Sequence, residues 1–210
     1  MEYININYSN IMFNFIKNNK KFISWSFVSN TIVSIENVLA THNFLTTLNS
    51  NSEITNDIKT INYMTKDIIG QLGSIMYLSK SSSYIDNNPK KFILVSNVLQ
   101  QISYISLSLT PIYPDFFIPI SGVSGVLINI SFTFFGAINI KCIEKISDNN
   151  IGEIYTKLTI LNTISSTLGS LIGLYLNTKI ISVEHRIILL HLLGISRIYT
   201  YNKSIEHFNL

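Results

Sequence analysis

A chain of 210 residues is long enough for one domain of ordinary size. Hydrophobic residues make up 47% of it and charged residues only 13%, against roughly 25% charged in a typical soluble domain, so too few charges remain to cover a soluble surface and a membrane setting is indicated. The net charge of +3 is scattered and not gathered into a basic stripe, which excludes a nucleic-acid surface, and the single cysteine, Cys142, excludes an internal disulfide and a thiolate metal cluster.

Residues 1–21 are rich in Asn with scattered Ile and Phe and are expected to form a poorly ordered arm. They lack a basic stretch followed by an apolar core and a small-residue cleavage site, so no cleavable signal is expected. Residues 22–210 are expected to form one helical domain. From 22 to 48, Trp25, Val28, Ile32, Ile35 and Leu39 recur at steps of three and four, the helical period. A second helix is expected over about 54–78, with Gly70 and Gly73 placed for close packing of another helix. Residues 79–89 (SKSSSYIDNNP) read as a loop, because Ser, Asn, Asp and Pro crowd between apolar stretches. Pro89 suits the first turn of the next helix.

Three spans without an ionised side chain follow, 92–114, 116–140 and 158–178, each long enough to cross a bilayer at about 20 residues. The first contains Asn97, Gln100, Gln101 and four serines, and is expected to line a bundle rather than face lipid. The second is rich in Phe, Ile and Val. The third holds Gly169 and Gly173 as a GxxxG pair, a helix-packing motif. Residues 141–152 read as an exposed turn. A last helix is expected over about 183–208, apolar at first and then carrying Arg197, Lys203 and Glu206, entering the membrane in part or lying at its surface. No internal repeat is visible. The pattern predicts an all-α, membrane-associated bundle of about six helices.

Catalytic constellations are missing from the sequence. His42, His185, His191 and His207 make no compact metal-ligand pattern, and no phosphate-binding glycine loop or nucleophile elbow occurs. No catalytic, cofactor-binding or metal-binding residue is therefore assigned, no cofactor is expected, and a non-enzymatic protein is. GVSGV at 122–126 is read as helix packing. Ionisable residues within apolar helices carry the remaining interest. Asp67, beside Lys66, is read as functional or bundle-organising, Lys157 as a second internal polar anchor, and Glu36 as lying near a helix end and reaching water.

The order of motifs along the chain resembles the root UVB-sensitive family. VLAT at 38–41 resembles its LAT motif, and TKDIIGQLG at 65–73 its lysine-or-arginine, aspartate, glycine, leucine-glycine element. SSSYIDNNPKKF at 81–92, which contains Asp86, resembles the stretch running to a lysine-aromatic pair. TPIYPDFF at 110–117 resembles its proline corner, and FGA at 135–137 and NNIGEIYTK at 149–157 resemble later segments. The chain departs from the pattern at Ser74, Phe92–Ile93, Ser96–Asn97, Ile138–Asn139 and Leu161–Asn162, where polar or charged signature residues are replaced. Asp67, Asp86 and Lys157 remain. The resemblance implies a membrane-associated protein tied to vitamin B6 homeostasis or developmental signalling, in a plastid, with a related family member as hetero-oligomeric partner. It implies no reaction. The readings left open are a scaffold or transport-related protein and, as the alternative, a carrier or binding protein for a vitamer.

Overall fold

The computed structural model describes residues 8–50, 56–87, 89–147, 150–206 and 208. Among them the chain is all helical. Helix α1 spans Tyr8–Asn18, α2 Lys20–Ser50, α3 Asn56–Asn87, α4 Pro89–Ser108, α5 Phe117–Ile146, α6 Ile151–Lys179 and α7 Val183–Ile205, with a 3-10 turn at Pro114–Phe116 between α4 and α5. The six long helices have 20 to 32 residues, about 30–48 Å at 1.5 Å per residue.

Three boundaries differ from those read in the sequence. The stretch 79–87 continues α3 instead of forming a loop, since it holds no Gly or Pro to stop the helix, and the break comes at Pro89, which lacks the N–H needed to continue it. The segment at 141–146 stays in α5 because Cys142 and Ile143 follow Ile138 at helical spacing and are buried. Part of the expected arm is helix α1, whose Phe15 is buried; residues 1–7 lie outside the described ones.

Side-chain pairings fix the direction of each helix. Glu36 of α2 meets Arg197 of α7 while Asn43 meets Arg186, so α2 and α7 are antiparallel. Asn30 meets Asn162 and Val38 meets Asn177, so α2 and α6 are parallel. Ser103 pairs with Ser124 and Ser96 with Ser131, so α4 and α5 are antiparallel. On α3, Gly70 lies on Gly125 and Tyr77 on Phe134, so α3 and α5 are parallel. From α2 to α7 the chain therefore alternates in direction. The helices gather as two lobes, α2 with α6 and α7, and α5 with α3 and α4, joined where α4 crosses α2 and α7.

Polarity is distributed in an unusual sense. The buried stripe of α6 is Leu158, Ser165, Gly169 and Gly173, while Ile160, Ile164, Leu168, Leu171 and Leu174 of the same helix face outward. On α2 the buried side chains include Ser29, Glu36, Asn43 and Thr47, and on α4 Ser96, Asn97, Gln100 and Ser103. Small residues let backbones approach: a Cβ on Gly70 would stand 2.9 Å from the carbonyl carbon of Gly125, and one on Gly173 2.9 Å from Val38 Cβ. Apolar clusters close the two ends. Phe22, Ile23, Ile93, Cys142 and Tyr201 gather at one end, and Phe44, Leu48, Tyr104, Leu107 and Phe117 at the other.

Candidate functional site

Between those two apolar clusters lies a buried polar centre. Arg197 comes from α7, three residues after Gly194, and its side chain is completely buried. Its Nε donates to Glu36 Oε2 at 2.6 Å, and Glu36 is equally buried. Nη1 donates to Asn97 Oδ1 at 2.8 Å and to Gln100 Oε1 at 2.7 Å, and Nη2 donates to the Asn97 carbonyl at 3.2 Å and to Gln101 Oε1 at 3.1 Å. These five bonds match the five N–H donors that a guanidinium presents. Two uncompensated buried charges would cost several kcal/mol each, so the pair persists only with this full set of partners.

Three helices are needed to build the centre. Asn97, Gln100 and Gln101 fall at i, i+3 and i+4 on α4 and so share one face. Each amide is also held from behind: Asn97 Nδ2 donates to the Ile93 carbonyl, Gln100 Nε2 to the Tyr104 hydroxyl, and Gln101 Nε2 to the Leu190 carbonyl. Gly194 makes room for the last of these, since a Cβ there would collide with the Gln101 amide. Glu36 Oε1 is buried without a protein hydrogen-bond partner.

A second arginine ties α7 to α2 within one lobe, nearer its end. Arg186 donates from Nε to the Ile180 carbonyl at 2.8 Å and from Nη1 to Asn43 Oδ1 at 2.8 Å, with His42 Nδ1 at 3.0 Å.

Beside the polar centre opens a cavity of ≈390 Å³ between α2, α5 and α6. Asn30, Asn139, Asn162 and Thr159 line it with amide and hydroxyl groups, and Phe132, Phe135 and Tyr155 with rings. Asn30 Nδ2 donates to Asn162 Oδ1 at 2.6 Å across the α2–α6 wall. Gln100 belongs both to the cavity wall and to the Arg197 centre.

The residues singled out in the sequence are spread over the molecule. Glu36 does not reach water: α2 is 31 residues long and places it mid-helix, against α7 and α4, where it is the acidic partner of Arg197. Lys66 and Asp67 pair with each other at 2.9 Å on α3, with the Asp67 side chain 48% exposed and the Lys66 ammonium over the rings of Tyr63 and Phe44. Lys157 pairs with Glu153 at 2.6 Å on α6 and lies over Phe15. Neither lysine, nor Asp67, enters the buried centre. Asp86 is among residues whose side chains lie outside the described ones. Gly70 and Gly73 face α5, Gly122 and Gly125 face α3, and Gly169 and Gly173 face α2. Arg197 was not singled out in the sequence, although a lone Arg and a lone Glu in apolar helices, with three amides on one helical face, are the signal of a buried pair. Among the described residues no three His, Cys, Asp or Glu side chains come together as a metal would require.

The comparisons with known proteins agree with the motif order. The profile described as "Vitamin B6 photo-protection and homoeostasis domain" matches residues 16–210. The chain is 24% identical to protein root UVB sensitive 4 of Arabidopsis thaliana over 158 residues, which is 74% of this chain and 30% of that protein. It thus spans less than a third of that relative's length. No solved structure matches. The profile covers nearly the whole bundle, from α1 through α7, and the chain belongs to the root UVB-sensitive family, that of the vitamin B6 photo-protection and homoeostasis domain.

Proposed function

We propose that this chain is an integral membrane protein, a non-enzymatic bundle with a transport-related or scaffolding role in vitamin B6 homeostasis. One observation carries the reading: large apolar side chains are exposed along the long helices while many polar side chains are buried. Charged, amide and hydroxyl side chains share the interior with apolar ones, and Ile, Leu and aromatic side chains cover much of the outside of α3, α5 and α6. Hydrocarbon supports that arrangement, since packing in lipid is carried by small residues and interior polar contacts. A soluble core helix of the same composition would be mostly buried, yet only 33% and 22% of the most apolar windows of Pro114–Ile146 and Ile151–Lys179 are. Two helices, Pro114–Ile146 and Ile151–Lys179, are both long and apolar enough to cross a bilayer core of roughly 30 Å.

Carbonate extraction of membranes from cells expressing the tagged chain, followed by protease protection, tests this. Retention in the pellet with protected fragments of helix length is the expected result. Release into the supernatant overturns the reading.

A second reading, a carrier or binding protein for a vitamer, is favoured by the cavity. Its ≈390 Å³ lies within the roughly 300–1,000 Å³ typical of small-molecule sites, and its wall mixes rings with hydrogen-bonding groups as a hydroxylated heterocycle requires.

A further inference from the structure

Exchanging α2 with α5, α3 with α6 and α4 with α7 preserves the four main helix pairings, although α4 also packs on α2 whereas α7 packs far less on α5. In one lobe α2 packs parallel to α6 and antiparallel to α7; in the other α5 packs parallel to α3 and antiparallel to α4. Each helix is antiparallel to its counterpart, and α4 crosses α7 at the centre, where Gln101 reaches both Leu190 and Arg197. The glycine contacts obey the same exchange, with Gly70 and Gly73 of α3 against α5 and Gly169 and Gly173 of α6 against α2. The halves α2–α4 and α5–α7 are thus inverted-topology repeats in fold, with no trace in sequence.

Two further observations give the symmetry a use. The ≈390 Å³ cavity sits between the lobes, with α2, α6 and α7 on one side and α4 and α5 on the other, and its wall reaches Gln100 of the polar centre. It runs along the first half of α2 and the second half of α5, beside the apolar cluster that holds Phe22, Ile143, Leu158 and Tyr201. Beyond the polar centre the same interface is shut, with Phe44 and Phe117 stacked at 4.9 Å and Tyr104 and Leu107 packed beside them. An interface between two lobes that the exchange interconverts, with a cavity on one side of the polar centre and packed rings on the other, is an arrangement from which rocking of one lobe against the other gives alternating access.

We propose that the two lobes form an alternating-access carrier whose solute site is this cavity, and that the solute is an uncharged, hydroxyl-bearing aromatic such as an unphosphorylated vitamin B6 vitamer. The proposal rests on the vitamer reading above and adds the site, the motion and the charge class. The cavity lining contains no Asp, Glu, Lys, Arg or His, whereas a phosphate calls for Arg, Lys or a run of backbone N–H donors. Arg197 cannot serve, because all its donors are already engaged by Glu36 and the α4 amides.

The test uses the full chain in proteoliposomes, with labelled pyridoxine and labelled pyridoxal 5′-phosphate as probes in a counterflow assay, which requires a reorienting site. Gly136 lines the cavity and an added Cβ there would meet nothing within 4 Å, so Gly136→Leu adds apolar bulk at the cavity wall; Asn139→Leu on the exposed wall is the second variant. Circular dichroism checks that both retain their helices. Saturable pyridoxine counterflow, lowered at least about tenfold by either variant as expected for a filled pocket, with no counterflow of the phosphate ester, is the expected result. Counterflow that survives both substitutions overturns the site. Equal transport of the phosphate ester overturns the charge class. Absence of any counterflow by a chain that still resists carbonate overturns carriage and leaves the membrane reading standing, whereas a chain released by carbonate removes both.

Discussion

Arg197 of α7 and Glu36 of α2 form an ion pair at 2.6 Å with neither side chain exposed to any degree. Because three amides of α4 complete the guanidinium's shell, the pair fastens α2, α4 and α7 at one point. Truncating one member strands the other charge, so Arg197→Met or Glu36→Leu alone is expected to destabilise the bundle by about 3–5 kcal/mol. The double substitution should cost clearly less than the two single costs added together, since it leaves no buried charge. Thermal unfolding of the four proteins in the same lipid nanodiscs closes the cycle. Additive costs would show that the two residues do not depend on each other.

Gly169 carries a different burden. A Cβ on it would collide with the Thr31 carbonyl and stand 2.7 Å from Ser34 Cβ. Gly169→Val therefore forces α6 off α2, at about 1–3 kcal/mol for overpacking. The control is Gly152→Ala, in the first turn of α6, where an added Cβ meets nothing and stability should be unchanged or rise by about 0.4–1 kcal/mol. Unfolding midpoints of the two variants compared with the parent decide it. Equal effects would mean that the α2–α6 approach is not set by this glycine.

At Gly194 the neighbour is a side chain. Gly194→Ala pushes the Gln101 amide out of its place, breaking its bonds to Leu190 and Arg197. Loss of a partner for a buried polar group costs about 1–3 kcal/mol. Shortening Gln101 as well, in Gly194→Ala with Gln101→Ala, removes the collision, so the double variant should recover part of the midpoint lost by Gly194→Ala. No recovery would mean that something other than the amide fills the space.

Much of this was legible in the sequence. The uncharged spans fall largely on α4, α5 and α6, the amides Asn97, Gln100 and Gln101 with four serines marked the first span as lining the bundle, and the order of motifs identified the family. Element ends were harder, because Ser and Asn at 79–87 weaken a helix without stopping it, and only Pro89 enforces a boundary. Glu36 was misread for a related reason: a charge reads as solvent-facing until its partner is found, and the partner lies 161 residues away. Local periodicity carries no record of such a contact. The inverted repeat was invisible because it is a relation of packing and direction, satisfied by serine against glycine in one lobe and glycine against glycine in the other.

Arg186 offers the last test, of how the lobe built on α2 is fixed at its end. The residue sits in the first turn of α7 and is almost wholly buried. Its Nε holds the Ile180 carbonyl, just past the end of α6, while Nη1 reaches Asn43 on α2, so one planar group spans three elements. Lysine has the charge but not the fork, and its single ammonium cannot reproduce both directions of donation. Arg186→Lys is expected to lose about 1–3 kcal/mol, the cost of a buried acceptor left without its donor. The loss should be local as well as global. Hydrogen exchange at the amides of residues 180–186 should quicken relative to the middle of α5, because the turn between α6 and α7 is released from α2. Unchanged exchange at that turn, with an unchanged unfolding midpoint, would show that the α6–α7 connection is held by the apolar contacts of Leu176 and Leu189 with Ile35 and Leu39 rather than by the arginine.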